Sequence, residues 1–246
     1  MNIVLLSESD FTDKNHAIVA GRRLEHLSRV LKVKQGDALK VGVVNGLMGI
    51  GHVLRYDQQK CTLSVELDRE PPAPLPCTLI MALPRPKTLK KSLETAIVMG
   101  VKRIFIIESW RVEKSYWSSP MLEEERLHEI SVLALEQACD TVLPKIQIRR
   151  RFRPFVEDEL SGIAQGAECL TAHPGASLSV PCACGEKGVG EYYSPVQEKI
   201  LIIGPEGGFI PFEIELLEKH GCRTVSFGSR ILRVEHAVPA ILAKLF

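Results

Sequence analysis

The sequence predicts an α/β protein whose larger, C-terminal part contains a mostly parallel sheet with helices on both faces. From residue 77 onward, short apolar runs alternate with amphipathic segments of helical period, which is typical of parallel sheets. Before residue 70, apolar stretches separated by turn signals predict a small β-rich domain. Residues 71–76 are rich in proline and are typical of a semi-rigid linker. We therefore expect one domain over residues 1–70 and a second over residues 77–246.

The composition is that of an ordinary globular protein, with 45 % hydrophobic and 25 % charged residues. No apolar run approaches the length of a membrane span, and Met1–Leu6 is too short for a signal peptide, so we expect a cytoplasmic protein with no membrane partner. Seven scattered cysteines favour reduced thiols over a disulfide framework. Cys182 and Cys184 form the one close pair, and no second pair stands at zinc spacing, so we expect no metal.

In the first domain, an Asn45-Gly46 turn between apolar alternations predicts a β-hairpin. The predicted strands are Ile3–Leu6, Ala38–Val44, Met48–Tyr56 and Thr62–Leu67. A helical segment over 22–31 places Leu24, Leu27 and Leu31 on one face. Its outward residues are then Arg22, Glu25, His26 and Arg29.

In the second domain, strands and helices alternate to the C-terminus. The predicted strands are Cys77–Leu83, Arg103–Ile107, Gln147–Ile148, Cys169–Ala172, 200–203 and 223–227. The predicted helices are Thr88–Met99, Met121–Cys139, 211–220 and 235–246. Residues 174–195 show no periodicity and are predicted to form a long loop.

The strand 200–203 leads into a glycine-rich loop, Gly204-Pro205-Glu206-Gly207-Gly208, and Pro211 then stands where a helix begins. Its spacing matches neither GxGxxG nor a P-loop, and the Glu206 carboxylate would repel a phosphate. A cationic or zwitterionic ligand suits the loop better, and a plain strand-to-helix turn is the alternative. A second apolar segment, Val225–Gly228, follows about twenty residues later, so we expect the two loops to lie side by side.

The two segments Gly204-Pro-Glu-Gly-Gly-Phe209 and Arg230-Ile-Leu-Arg-Val-Glu235, in this order and separation, resemble the C-terminal signature of the ribosomal RNA small subunit methyltransferase E family. Those SPOUT-class enzymes methylate N3 of a uridine in 16S rRNA with S-adenosylmethionine. The resemblance implies a C-terminal domain with a trefoil knot, a PUA-like β-barrel in front of it and a homodimer. It also implies the small ribosomal subunit as partner.

The family pattern implies that the methyl donor S-adenosylmethionine lies between the two loops, with His173 at the rim. The residues implied for donor binding are Ile203, Gly204, Glu206, Gly207, Gly208, Phe227, Gly228, Ile231, Leu232 and His173. In the first domain, the segment from His26 to Leu31 resembles the family's RNA-binding segment. Arg22, Arg23, His26 and Arg29 are therefore our candidates for RNA contacts, with a solvated helix face as the alternative.

Methylation of a uridine at N3 requires loss of the N3 proton, which spreads negative charge onto O2 and O4 of the base. A cationic group aimed at those oxygens would stabilise that charge. Arg233 is the first candidate for this role and Arg230 the second, with phosphate anchoring as the alternative for both. Glu136, Glu235, His236 and water are all open as the proton acceptor.

Three basic segments, 14–40, 85–91 and 145–153, could together form an RNA-facing surface, although the net charge is only +1. The chain also departs from the family pattern. Asp140 and Thr141 stand where the middle helix usually carries an arginine, and His236 replaces a threonine. The alternatives are therefore a SPOUT methyltransferase acting on another RNA position, or a non-catalytic RNA-binding or ribosome-assembly factor. A nucleotide-dependent oxidoreductase is disfavoured because no GxGxxG is present.

Overall fold

The computed structural model describes residues 1–176 and 198–246, which form two compact units. Unit 1 comprises residues 1–73 and 131–143, and unit 2 comprises residues 74–130 and 144–246. The helical pattern predicts 131–143 as part of the 77–246 domain. In the structure these residues belong to unit 1, because Glu136 O accepts from Asn2 N at 2.7 Å and Thr141 O accepts from Asn45 N at 2.8 Å. The predicted loop beyond residue 176, with Cys182 and Cys184, lies outside the described residues.

Unit 1 is built on a five-stranded sheet in the order β1-β3-β4-β5-β2. The strands are β1 (Val4–Leu6), β2 (His16–Val19), β3 (Ala38–Val43), β4 (Met48–Tyr56) and β5 (Cys61–Arg69). The predicted hairpin joins β3 to β4, and Asn45 adopts the left-handed backbone that this turn requires, with φ of 58°. Strand β2 was not predicted, because four residues beginning with a histidine give too short an alternation.

The helical segment of unit 1 begins as α1 (Gly21–His26) and continues as a π-helical turn over Leu27–Leu31. Leu24 and Leu27 are buried, as the pattern predicts. Leu31 is 46 % exposed, because the wider π turn rotates it away from the face that the α-helical period assigns to it.

Unit 2 contains a six-stranded sheet in the order β11-β9-β10-β6-β7-β8, and every neighbouring pair is parallel. The strands are β6 (Cys77–Ala82), β7 (Arg103–Ile107), β8 (Lys145–Arg149), β9 (Glu168–Ala172), β10 (Lys199–Ile203) and β11 (Arg223–Val225). All six residues of β6 are buried, because helices cover both faces of such a sheet. The predicted α/β class with a parallel sheet is confirmed.

The helices that follow these strands are α2 (Pro86–Val98), α3 (Glu124–Ala138), α4 (Phe152–Pro154), α5 (Leu160–Ile163), α6 (Pro211–Lys219) and α7 (Val234–Leu245). Helices α2 and α7 pack against each other. The stretch from α4 to α5 was not predicted, since Pro154 and a run of charges mask its apolar period. Phe152, Phe155, Val156 and Leu160 are all buried and stand at helical spacing, which is the signal that could have revealed it.

The cysteines of the described residues, Cys61, Cys77, Cys139, Cys169 and Cys222, are free thiols. Burial raises the pKa of Cys77 to about 12, so this thiol stays protonated at neutral pH. In the same part of the chain, no helix is long and apolar enough to cross a membrane. Nor do His, Cys, Asp and Glu side chains gather there in a group that could hold a metal ion.

A bidentate ion pair inside unit 1 gives a test of its packing. Glu136 is 1 % exposed, and its two oxygens accept from Arg22 Nη1 at 2.8 Å and Nη2 at 2.9 Å. We expect Arg22→Ala to lower the free energy of unfolding by about 2–4 kcal/mol, because it leaves a buried carboxylate without its partner. Urea unfolding followed by circular dichroism measures this change.

Arg29 pairs with Glu25 on the surface of the same segment and provides the matched control. Arg29→Ala should cost less than about 1 kcal/mol, since exposed pairs contribute little. Equal losses in the two variants would contradict a stabilising role for the buried pair.

Candidate functional site

A cavity of about 220 Å³ lies at the carboxyl ends of β9, β10 and β11. These ends share one edge because the strands are parallel, and ligands of open α/β sheets bind at such edges. Two loops, 204–209 and 226–233, form its walls, as the sequence predicts. The described lining comprises Ala172, His173, Pro174, Ile203, Gly204, Pro205, Glu206, Gly208, Phe209, Ser226, Phe227, Gly228, Arg230, Ile231, Leu232, Arg233, Val234, Ala237 and Ile241.

The first loop needs its glycines for two different reasons. A Cβ on Gly204 would lie 3.2 Å from the ring and the backbone nitrogen of Phe209, so the chain folds back closely there. Gly208 has φ of 69°, a left-handed conformation that strains other residues. The loop thus turns tightly and brings backbone to the cavity surface, where a ligand could approach it.

A buried carboxylate holds this loop in place. Glu213, on α6, is 2 % exposed and accepts from Ile210 N at 2.9 Å, Ser109 Oγ at 3.2 Å and Trp110 N at 2.8 Å. It therefore joins the end of the glycine loop to the segment that follows β7. Sequence reasoning missed this role, although a glutamate at the third position of a helix is a known capping signal, and Glu213 is the third residue of α6.

Two further hydrogen bonds tie the loop to its neighbours. Glu206 Oε1 accepts from Arg85 N at 3.0 Å, and Arg111 Nη1 donates to Gly207 O. A Cβ on Gly207 would lie 3.0 Å from Arg111 Cδ, so this glycine packs against Arg111 and does not line the cavity. A hydrogen bond to Tyr116, with Glu206 nearby, raises the pKa of Arg85 above its usual value, so the guanidinium stays charged.

The second loop carries both candidate arginines. Arg230 and Arg233 are exposed and line the cavity on the same loop as the exposed Ile231 and Leu232. Arg233 stands just before α7 in an extended conformation, and its carbonyl accepts from His236 N at 2.9 Å and Ala237 N at 2.8 Å. The second loop therefore gives the cavity a positively charged wall.

Every residue implied for donor binding lines the cavity except Gly207. The structure adds lining residues that the sequence did not single out, above all Ala237 and Ile241 of α7. Their spacing of four on an amphipathic helix is a signal that could have suggested a shared face. Glu235 and His236 are not part of the described lining.

Glu136 belongs to unit 1, where Arg22 occupies both of its oxygens. Because Arg22 binds both oxygens, neither is free to contact a substrate, so the structure argues against a catalytic role for Glu136. Its burial and ion pair give it a structural role instead.

The structure separates the three arginines among the four RNA-contact candidates into two kinds, and leaves the fourth candidate, His26, partly exposed. Arg23 donates to Leu5 O at 2.6 Å and pairs with Asp10, and Arg22 pairs with Glu136, so both guanidinium groups bind within unit 1. Burial raises the pKa of Asp10, but hydrogen bonds from Arg23 and Ser7 outweigh it and leave this pKa below its usual value. Arg29 is 77 % exposed and is the candidate best placed to contact a partner.

Two of the departures from the family pattern, Asp140 and Thr141, lie in the packing of unit 1, whereas His236 belongs to unit 2. Thr141 is fully buried, and its hydroxyl donates to Gly46 O at 2.6 Å. Asp140 accepts from Val142 N at 2.9 Å, and Leu143 N donates to Asn45 Oδ1 at 2.8 Å. The segment that usually carries an arginine is here fixed against the β3–β4 turn.

Comparison with known proteins identifies the family. The model of the RNA methyltransferase domain matches residues 71–245. The ribosomal RNA small subunit methyltransferase E of Treponema pallidum is 28 % identical, over 99 % of this chain and 90 % of its own length. The Synechocystis protein of the same name is also 28 % identical, over 91 % of this chain and 70 % of its own length.

Solved structures show the same fold. Ribosomal RNA small subunit methyltransferase E from Neisseria gonorrhoeae, bound to S-adenosyl methionine, matches with a TM-score of 0.73 and 20 % identity, covering 99 % of this chain and 95 % of that one. A probable rRNA methyltransferase from Porphyromonas gingivalis matches with a TM-score of 0.70 and 23 % identity, covering 97 % and 95 % of the two chains. The chain belongs to the RNA methyltransferase domain family.

The role of Glu213 can be tested with an isosteric change. In Glu213→Gln, one oxygen becomes an amide NH₂ that faces a backbone or hydroxyl donor, which leaves buried hydrogen-bonding groups unsatisfied. We expect a loss of about 1–3 kcal/mol in the free energy of unfolding and faster hydrogen exchange at Trp110 N.

Glu215, two residues later and exposed, provides the control. Glu215→Gln should leave both quantities near the wild-type values. A Glu213→Gln protein that also keeps them would show that the carboxylate does not hold the loop.

Proposed function

We propose that this chain transfers a methyl group from S-adenosylmethionine to N3 of a uridine in 16S rRNA of the small ribosomal subunit, in the cytoplasm. The family and the names of the relatives support the reaction class. The observation that carries the proposal is the cavity between the glycine loop and the second loop, whose wall holds Arg230 and Arg233.

The residues of the cavity fit a methyl donor of this kind. S-adenosylmethionine supplies a methyl group on a positively charged sulfur, and it carries a zwitterionic amino acid and a flat aromatic adenine ring. The apolar side chains of Ile203, Leu232 and Ile241 suit the ring, and the backbone around Gly204 offers polar groups at close range. No basic side chain lies in the glycine loop 204–210, which agrees with a ligand that is not a phosphate.

The two arginines suit the substrate side of the reaction. Loss of the N3 proton places negative charge on O2 and O4 of uridine, and a guanidinium directed at those oxygens stabilises it. Arg233 takes this role in our proposal because α7 fixes its backbone, and Arg230 assists or anchors a phosphate. Since Arg22 binds both carboxylate oxygens of Glu136, the proton acceptor in our proposal is Glu235, His236 or water.

The proposal also includes the finer architecture that the family resemblance implies. Unit 2 would carry the trefoil knot of SPOUT enzymes, unit 1 would be a PUA-like RNA-binding domain, and the chain would act as a homodimer. The likeness of fold to the Neisseria gonorrhoeae enzyme supports the architecture. Exposed apolar side chains in unit 2, such as Ile231 at 83 % and Phe212 at 50 %, are consistent with a covering partner copy.

A second candidate is methylation of another RNA position. It is favoured by Asp140 and Thr141, which replace the usual arginine and bind within unit 1. A changed target would leave the donor cavity as it is and alter only which nucleotide reaches it.

The test of both candidates is methyl incorporation from labelled S-adenosylmethionine. Small ribosomal subunits and naked rRNA, from cells that lack this protein, serve as substrates. We expect N3-methyluridine in 16S rRNA, identified by mass spectrometry of the nucleosides. A methylated nucleoside at another position would establish the second candidate, and donor binding without any methylation would contradict both.

Arg233→Ala should lower kcat by about 100-fold or more, because the developing negative charge loses its cation, while donor affinity stays within about threefold. Calorimetry gives the donor affinity and the labelled assay gives kcat. Arg223, an exposed arginine that pairs with Glu168 away from the cavity, is the control, and Arg223→Ala should retain turnover. Unchanged turnover in Arg233→Ala would contradict the proposed role of Arg233 in stabilising the charge on the uridine.

A further inference from the structure

The strands β6, β7 and β8 end beside the cavity and not in it. Their carboxyl-end segments lie together, since Leu83 N donates to Ile107 O at 2.9 Å and Glu108 N donates to Arg149 O at 3.0 Å. We call the surface they form the arginine–tryptophan edge. It consists of Arg85, Trp110, Arg111, Tyr116, Trp117 and Arg150.

Trp110 is the most prominent residue of this edge. It is 80 % exposed, while its backbone nitrogen is held by Glu213 at 2.8 Å. The indole ring is thus presented to solvent on a fixed backbone and adds little to the core. An exposed aromatic ring of this kind can stack on an unpaired base, because every base has a π-face.

Cationic groups stand next to the aromatic rings throughout the edge. The Arg150 guanidinium lies over the Trp117 ring, 5.1 Å from its centroid, and Arg85 Nε donates to the Tyr116 hydroxyl at 3.3 Å. Arg111, directly after Trp110, is exposed. Arginine provides charge for the phosphates, and aromatic rings provide stacking for the bases, which together are typical of surfaces that bind single-stranded nucleic acid.

The edge is fixed to the loop that lines the cavity. Arg111 donates to Gly207 O, Arg85 N donates to Glu206, and Glu213 accepts from both Trp110 N and Ile210 N. A strand of RNA held on the edge would therefore stand at a constant position relative to the cavity, as a methyl transfer requires.

We propose that the arginine–tryptophan edge binds unpaired RNA next to the nucleotide that enters the cavity, with one base stacked on Trp110 and the backbone phosphates on Arg111 and Arg150. The RNA is single-stranded, since a duplex hides the base faces that an exposed indole needs. The inference rests on the proposed function, because it assigns the surface that presents the RNA substrate to the same site. It also gives a role to Arg85 and Arg150, one from each of the basic segments 85–91 and 145–153.

The first experiment uses the fluorescence of Trp110 itself. The chain contains 2 tryptophans, so Trp117→Phe leaves Trp110 as the sole emitter and keeps an aromatic ring beneath Arg150. Addition of oligouridylate of about twelve nucleotides should quench this emission, and a duplex RNA of equal length should quench it far less. Emission that does not respond to the single strand would overturn the proposal.

The second experiment measures affinity for the same oligouridylate in the full chain. Trp110→Ala should weaken binding by about 5- to 100-fold, and Trp110→Phe should stay within about threefold because stacking is kept. Arg223, exposed at the amino end of β11 and paired with Glu168, is the control, and Arg223→Ala should change affinity by no more than about twofold. Equal affinity of Trp110→Ala and the wild type would overturn the proposal.

Sedimentation of the same variants separates RNA binding from contact with a second copy of the chain. If Trp110→Ala alters the oligomeric state and keeps its RNA affinity, the edge is a protein interface and the proposal fails. The methylation assay distinguishes this outcome from a failure of the proposed function. Quenching of Trp110 by oligouridylate without any methylated product would support RNA binding by the edge and contradict the proposed methylation. Full methylation by Trp110→Ala, with an unchanged KM for RNA, would support the proposed methylation and contradict RNA binding by the edge.

Discussion

Parallel hydrogen bonding across the unit 2 sheet is the constraint on which the rest of this structure depends. It places the carboxyl ends of all six strands on one edge, so that segments far apart in the sequence become neighbours. Strands β9, β10 and β11 provide the cavity, and β6, β7 and β8 provide the arginine–tryptophan edge. The cavity we propose for the methyl donor and the surface we propose for RNA are therefore adjacent because the strands are parallel.

Hydrogen bonds between the loops then hold these neighbouring segments in fixed positions. Glu213 and Glu206 accept from backbone nitrogens of the segments that follow β7 and β6, and Arg111 donates to the glycine loop. Backbone groups near these strand ends need partners once they are shielded from water. The same bonds that stabilise the loops also fix the position of the cavity relative to Trp110.

Unit 1 shows how a sequence departure can be absorbed by packing. Asp140 and Thr141 stand where the family usually carries an arginine, and both are buried. Thr141 donates to Gly46 O in the β3–β4 turn, and Asp140 accepts from Val142 N. Arg22 and Arg23, which the sequence suggests for RNA, instead neutralise Glu136 and Asp10 within the same unit. The charge pattern suggests that these arginines bind a ligand, but in the structure they form ion pairs within the protein. A carboxylate shielded from water requires such a partner.

The sequence by itself determined the α/β class and the strand of the glycine loop, because these depend on local period. The two short motifs implied, through their resemblance to a family, most of the residues that line the cavity, but not Ala237 and Ile241. Only the tertiary structure decided which groups form hydrogen bonds, ion pairs and packing contacts with one another. Glu136 as a structural carboxylate, Glu213 as the link between loops, and Gly207 packed on Arg111 all depend on contacts between residues distant in the chain. Such contacts leave no periodic signal, since periodicity records only which face of an element is buried.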